Sequence, residues 1–173
     1  MNNWYMVTLV GRDQKGIVSR VTKALFEGGC NLGEASMMRL GSNFGVMLMV
    51  GSDSAVSTIE SLIQPVAKSL GLMVHIDAVD GNKRDHPQPN VDISVYGADK
   101  AGIVAEVTGL LAEVGLNIID MQTVVAGSEE RPIYIMQIDG HSDESVDRLR
   151  AAIEPVIAQG IEVQINDIET MIG

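Results

Sequence analysis

Two hydrophobic periods alternate along this chain, and their order predicts its elements. From residue 4, "WYMVTLVG" is a β-rich apolar run that ends at Gly11. Ile17, Val18, Val21, Ala24 and Leu25 then recur at helical spacing, so a helix from about Lys15 to Glu27 has one apolar face. "GG" at residues 28 and 29 stops it, because glycine tolerates the left-handed position that follows a helix. Asn31 to Leu40 reads as extended, "GSN" at 41–43 as a hairpin turn, and "FGVMLMVG" as the returning strand. A second helix carries Val56, Ile59, Leu62, Ile63, Val66 and Leu70 on its buried side, and "LMVHIDAV" closes the unit as a strand. The predicted order is βαββαβ.

The same order then returns. "VDISVYG" leads into a helix with Ile103, Val104, Val107, Leu110 and Leu111, followed by a strand from Ile118 to Val125, the turn "GSEER" and the strand "PIYIMQI". One further helix with Val146, Leu149, Ile153, Val156 and Ile157 precedes the last strand, "IEVQINDI". With an offset of 86, "GRDQKGIVSRVTKALFEGGCNL" at 11–32 aligns without a gap on "GADKAGIVAEVTGLLAEVGLNI" at 97–118. The chain is a tandem duplication. Its expected domains are 1–80 and 91–173, joined at 81–90 by a linker rich in charge, Pro and Gly. The expected fold class is α+β, with two ferredoxin-like antiparallel sheets in tandem, each carrying its helices on one face. Copies of about 80 residues are near the lower limit for an independent core, so the halves are expected to pack together or the chain to form a homo-oligomer.

Charge narrows the function. The formal net charge is −11, from 23 acidic and 12 basic side chains, which repels a phosphate backbone. Aromatic residues are 3% of the chain, too few for much base stacking, so direct nucleic-acid binding is not expected. The single cysteine, Cys30, allows no intrachain disulfide and reads as a small buried filler. No segment approaches the length of apolar residues that spans a membrane, and no leader is evident, so a cytoplasmic protein is expected. The Met-rich stretches "SMMRL" and "VMLMV" read as core and interface, with Met37 and Met38 offering an adaptable pairing surface.

The spaced glycines of "GRDQKGIVS" open like a phosphate loop, but Ile17 and Val18 stand where such a loop needs Lys and Ser or Thr. Asp13 and Asp99 precede a helix and read either as N-caps or as ligand contacts. A helix N-terminus favours a carboxylate and an aspartate favours an ammonium, which together describe a site for an amino acid. Asn31 and Asn117 open the next strand, where asparagine either tolerates an awkward turn or reads a ligand with its amide. Loop and Asn lie at opposite ends of one helix, so a ligand touching both needs a second copy of the fold, at a domain interface. His75, His86 and His141 share no spacing and form no metal pattern with Cys30. No catalytic set, metal or cofactor is expected.

The pattern G-x-D-x-x-G-I-V, then V-T, then G-x-N, found twice in phase, resembles the ACT-domain family of small regulatory modules that bind amino acids. The resemblance implies a ligand at the interface of paired domains. By position, the implied site is Gly11, Arg12, Asp13, Gly16 and Asn31, with Gly97, Asp99, Lys100, Gly102 and Asn117 in the second copy. Two ACT domains without a catalytic domain further resemble transcriptional co-regulators of glycine metabolism that act through a DNA-binding protein partner. Glycine is therefore the suspected ligand. Lys15 and Ala101 replace the proline common in such loops, and Arg20/Glu106 differ in charge between copies. Two rivals are a pairing module without ligand and a small phosphatase. The phosphatase would need a cationic cradle that Arg12 supplies in one loop but Ala98 does not in the other.

Overall fold

The repeated pattern folds as two units, Met1–Arg84 and Asp85–Gly173, in a computed structural model that describes residues 3–79, 87–98, 102–128 and 130–168. The first unit comprises β1 (Asn3–Arg12), α1 (Ile17–Glu27), β2 (Asn31–Leu40), β3 (Asn43–Ser52), α2 (Val56–Leu70) and β4 (Met73–Val79). Its strands pair antiparallel in the order β2-β3-β1-β4. Alternation puts Tyr5, Val7 and Leu9 on one side of β1, opposite Val50, Leu48 and Val46 of β3. Ile17, Val21 and Leu25 of α1 and Ile59, Ile63, Ala67 and Leu70 of α2 close that face into one core. Each such side chain is worth about 1.5–3 kcal/mol when fully buried, which fixes the register against a one-residue slip.

The second unit repeats the plan with β5 (Val91–Ala98), α3 (Ile103–Glu113), β6 (Asn117–Ser128), β7 (Arg131–His141), α4 (Val146–Ala152), α5 (Glu154–Ile157) and β8 (Glu162–Asp167). The strand order is β6-β7-β5-β8, and Ile93 and Val95 pair with Ile138 and Met136 beneath the helices. The expected plait, duplicated and antiparallel, is the observed one. The units divide between residues 84 and 85, and residues 81–86 of the expected linker lie outside the described residues.

Four expectations are corrected. Val56 is 37% exposed, because the first turn of α2 precedes the contact with the sheet, and Ala67 takes a core place instead. The last helix is interrupted at Ile153, and α5 restarts with Pro155 in its first turn, where proline's missing N–H costs no helical bond. Of the methionines read as core and interface, Met37 at 53%, Met38 at 64% and Met47 at 45% are exposed and take no part in the core. An edge strand and a sheet face without helices leave them uncovered. Finally, Asn31 does not occupy an awkward turn. The left-handed position is taken by Gly29 (φ 74°), as it is by Gly115 (φ 85°), while every described non-glycine residue has negative φ.

Both first helices end in the same hydrogen-bond pair. The Gly29 amide donates to the Phe26 carbonyl and the Cys30 amide to Leu25, both at 3.0 Å. Gly115 and Leu116 repeat these bonds to Ala112 and Leu111, also at 3.0 Å. The left-handed glycine turns the chain so that Cys30 and Leu116 are buried and the following Asn opens the next strand.

Candidate functional site

The β1–α1 loop, residues 13–16, is held from three sides. The Asp13 amide donates to the Ser42 carbonyl in the β2–β3 turn at 2.9 Å, and the Gln14 side-chain amide donates to the Leu70 carbonyl of α2 at 2.7 Å. The Asp13 carboxylate faces the Arg39 guanidinium of β2 at 3.6 Å. Gly11 packs against the end of α2 so closely that an added Cβ would lie 2.6 Å from Leu72 Cδ2. Asp13 is therefore not the N-cap of α1. Gly16 holds that place in the left-handed conformation (φ 87°), and no side chain caps the helix. The physical reason is geometric: with three residues between Asp13 and Ile17, the carboxylate turns toward Arg39 instead of the first-turn amides. The helix N-terminus is left with its partial positive charge and without a side-chain acceptor.

Three cations stand around this end of the unit. Lys15 is exposed in the loop, Arg39 faces Asp13, and the Arg20 guanidinium donates to Ser69 Oγ at 2.7 Å. Arg12, also singled out from the sequence, follows the strand alternation onto the opposite face of the sheet and does not join them. Sequence reasoning missed Arg39. Arg39 lies far from Asp13 along the chain, but the hairpin register puts Arg39 opposite Phe44 and Phe44 opposite Gly11.

The second unit keeps the backbone device and changes the charges. Gly102 is again a left-handed N-cap (φ 89°) without a side-chain cap, and Gly97 pairs with Tyr134 on β7. Asp99 and Lys100 lie outside the described residues. Where Arg20 meets Ser69, the second unit has Glu106 accepting from Gln159 Nε2 at 2.7 Å. Val125, opposite Tyr134, takes the place of Arg39. The described part of this end has lost its cations and gained a carboxylate.

Asn31 and Asn117 are exposed at the first positions of β2 and β6, and among the described residues their side-chain amides have no hydrogen-bond partner. Asn31 pairs with Gly51 and Arg12 with Asn43 on the same strand β3. Eight residues of extended chain separate those partners, about 27 Å. Loop and Asn of one unit cannot touch one small ligand. Cys30 is buried, as expected for a filler. His75 contacts Asp77 at 2.9 Å, the His141 ring lies 2.9 Å from the Gln88 carbonyl, and His86 is outside the described residues. Among the described residues, no group of three His, Cys, Asp or Glu side chains could hold a metal ion. No described helix is long and apolar enough to cross a membrane.

A family model for the ACT domain matches residues 4–77 and again 91–169. The chain is 28% identical over 148 residues to the glycine cleavage system transcriptional repressor of Escherichia coli (strain K12), covering 84% of this chain and 78% of that protein. Among solved structures, an unknown protein from Galdieria sulphuraria superposes with a TM-score of 0.78 at 21% identity, over 97% of this chain and 99% of that one. A candidate glycine cleavage system transcriptional repressor superposes with a TM-score of 0.73 at 18% identity, over 98% and 99%. At those identities the two structures carry the fold alone.

Proposed function

The chain belongs to the ACT-domain family, with two copies of the domain, and from that premise we propose that it is a non-enzymatic regulator that senses a small amino acid at the loop of the first unit. One observation carries this reading: α1 starts without a side-chain cap after a loop in which Asp13 pairs with Arg39, with Lys15 in the same loop and Arg20 in the first helical turn. The amides and cations suit the ligand's carboxylate, and the Asp13 carboxylate suits its ammonium. The second unit has Glu106 and Val125 in the corresponding places, which favours the first unit as the binding copy. Asn31 contributes to a ligand only where the ACT fold of another protomer presents it. Glycine is the first candidate, because the E. coli relative is named for the glycine cleavage system. Occupancy would bias how protomers pair and so change the surface offered to a protein partner, a DNA-binding transcription factor in this reading. A net charge of −11 suits action through such a partner better than direct contact with DNA.

Thermal melting of the full chain against a panel of amino acids, glycine and serine included, tests this. At about 100 times its dissociation constant a ligand adds about 2.7 kcal/mol of stability. Arg20→Glu, which copies the second unit's charge, is expected to weaken that ligand several-fold. No shift with any amino acid would sink the sensing role and leave a pairing module without ligand.

A further inference from the structure

We propose that the helix-free face of the second unit's sheet is a docking surface for a basic, amphipathic helix of a protein partner. The helices of this unit pack on the side of β5 that carries Val91, Ile93 and Val95, so alternation leaves Asp92 and Tyr96 on the open side. The pairing register extends each of them into a row across the sheet. Asp92 stands opposite Asp139, and Asp139 opposite Asp120. The next row holds the amides of Gln122, Gln137 and Gln164. The row after it holds Val124, Ile135 and Tyr96, with Glu162 at the β8 edge, and Ile133 follows toward the hairpin end. The open face therefore grades from carboxylates through amides to apolar side chains, of which Val124 is 57% and Ile133 48% exposed.

Charge selects the occupant. Like charges directly opposite on neighbouring strands destabilise a sheet, and the fold does not require them, since Met6 and Met49 hold the equivalent positions of the first unit. Among the described residues none of the three aspartates makes an ion pair. Asp92 accepts from the Gln137 and Asn166 amides at 3.3 and 3.4 Å, Asp120 from the Gln122 amide at 3.4 Å, and Asp139 from no side chain. Lys or Arg side chains of a partner relieve that repulsion, whereas the same face of a second copy would add to it. The apolar rows supply what a plain cation site lacks, a surface that gains by leaving water.

Row spacing sets the partner's pattern. Asp92 and Tyr96 are four residues apart on one strand, about 13 Å. A helix laid along the strands rises about 1.5 Å per residue and brings side chains back to one face after about seven and about eleven residues, about 10.5 and 16.5 Å. Those distances bracket the strand spacing, and long Lys and Arg side chains take up the difference. The fitting helix therefore carries its cations two to three turns from its apolar anchors, on the same face. This docking goes beyond amino-acid sensing and does not depend on it.

Fluorescence anisotropy on the full chain tests the proposal, with a labelled alanine-rich helical peptide that carries a Lys cluster two to three turns from a Leu cluster on the same face. The expected result is saturable, salt-sensitive binding whose dissociation constant rises at least about tenfold when Asp92→Asn, Asp120→Asn and Asp139→Asn are combined. Val124→Ser with Ile133→Ser is expected to weaken it by a similar factor. Glu27→Gln, Glu60→Gln and Glu113→Gln together remove the same charge from exposed helix positions and are expected to change it less than about threefold. The aspartate variant is expected to melt no lower than the unmodified chain, because it removes like-charge pairs, so its lost binding does not come from unfolding. Circular dichroism shows that the serine variant is folded. A peptide of the same composition with Lys and Leu interspersed is expected to bind several-fold more weakly. Failure of the patterned peptide to bind the unmodified chain would overturn the proposal. Equal losses in the aspartate and glutamate variants would do so too, since net charge alone would then attract the peptide. So would equal binding of the interspersed peptide, or of one without Leu, because the face would then hold cations and not a helix. None of these results bears on the amino-acid melting shift.

Discussion

Gly11→Ala and Gly97→Ala change equivalent positions of the repeat and are expected to have opposite effects. At Gly11 an added Cβ would lie 2.6 Å from Leu72 Cδ2 and 3.0 Å from the Gly71 carbonyl oxygen. Leu72 is 8% exposed, and Gly71 ends α2 in the left-handed conformation (φ 66°), so neither neighbour yields freely. Overpacking of this kind costs about 1–3 kcal/mol. Alanine's narrower unfolded ensemble offsets about 0.4–1 kcal/mol of it, leaving the first unit about 1–2 kcal/mol less stable. At Gly97 the nearest atom to the new Cβ is Ile161 Cγ1 at 3.4 Å, an ordinary contact, so the second unit is stabilised by about 0.4–1 kcal/mol. In units of this size 1 kcal/mol moves the melting midpoint by about 4–8 °C. Hydrogen exchange with mass spectrometry on the full chain reads the two units separately, through peptides from α1 and α3. Equal effects at the two sites, or a loss at Gly97 as large as at Gly11, would refute the argument from Cβ contacts.

Other consequences are equally direct. Asp13→Ala without ligand is expected to change stability by less than about 0.5 kcal/mol, because an ion pair this exposed contributes little and no cap is lost. A melting loss near the ~1 kcal/mol of a true N-cap would contradict this. Gly29→Ala forces an L residue into φ 74° and is expected to destabilise the first unit by about 1–2 kcal/mol, read as a lower urea midpoint. Ser145→Ala removes the hydroxyl that accepts from the Arg148 amide at 3.3 Å. It is expected to cost the second unit about 0.5–1 kcal/mol, with faster exchange confined to α4.

Much of the fold was legible because it rests on local periodicity. Strand alternation in "YMVTLV", helical spacing of Ile17, Val21 and Leu25, and Gly29 after the helix each name their own structure. The site was less so. Asp13 looks like a cap because it precedes a helix, yet its partner is Arg39, brought in by the β2–β3 register. Arg12 is adjacent to Asp13 in the chain and on the opposite face of the sheet, a separation that only the end of the strand decides.

By itself, the sequence determined the duplication, the βαββαβ order and which residues of each strand share a face, since all three follow from spacing along the chain. It did not determine which face the helices would cover, because an apolar position in a strand carries no label for core or solvent. Tertiary packing made that choice. It buried Val7 and Val46 and left Met38 and Met47 open, and it gave two copies of one motif a cationic loop in one unit and an aspartate row in the other. The backbone responds to local pattern, whereas the site and the open face depend on side chains from distant strands meeting in register.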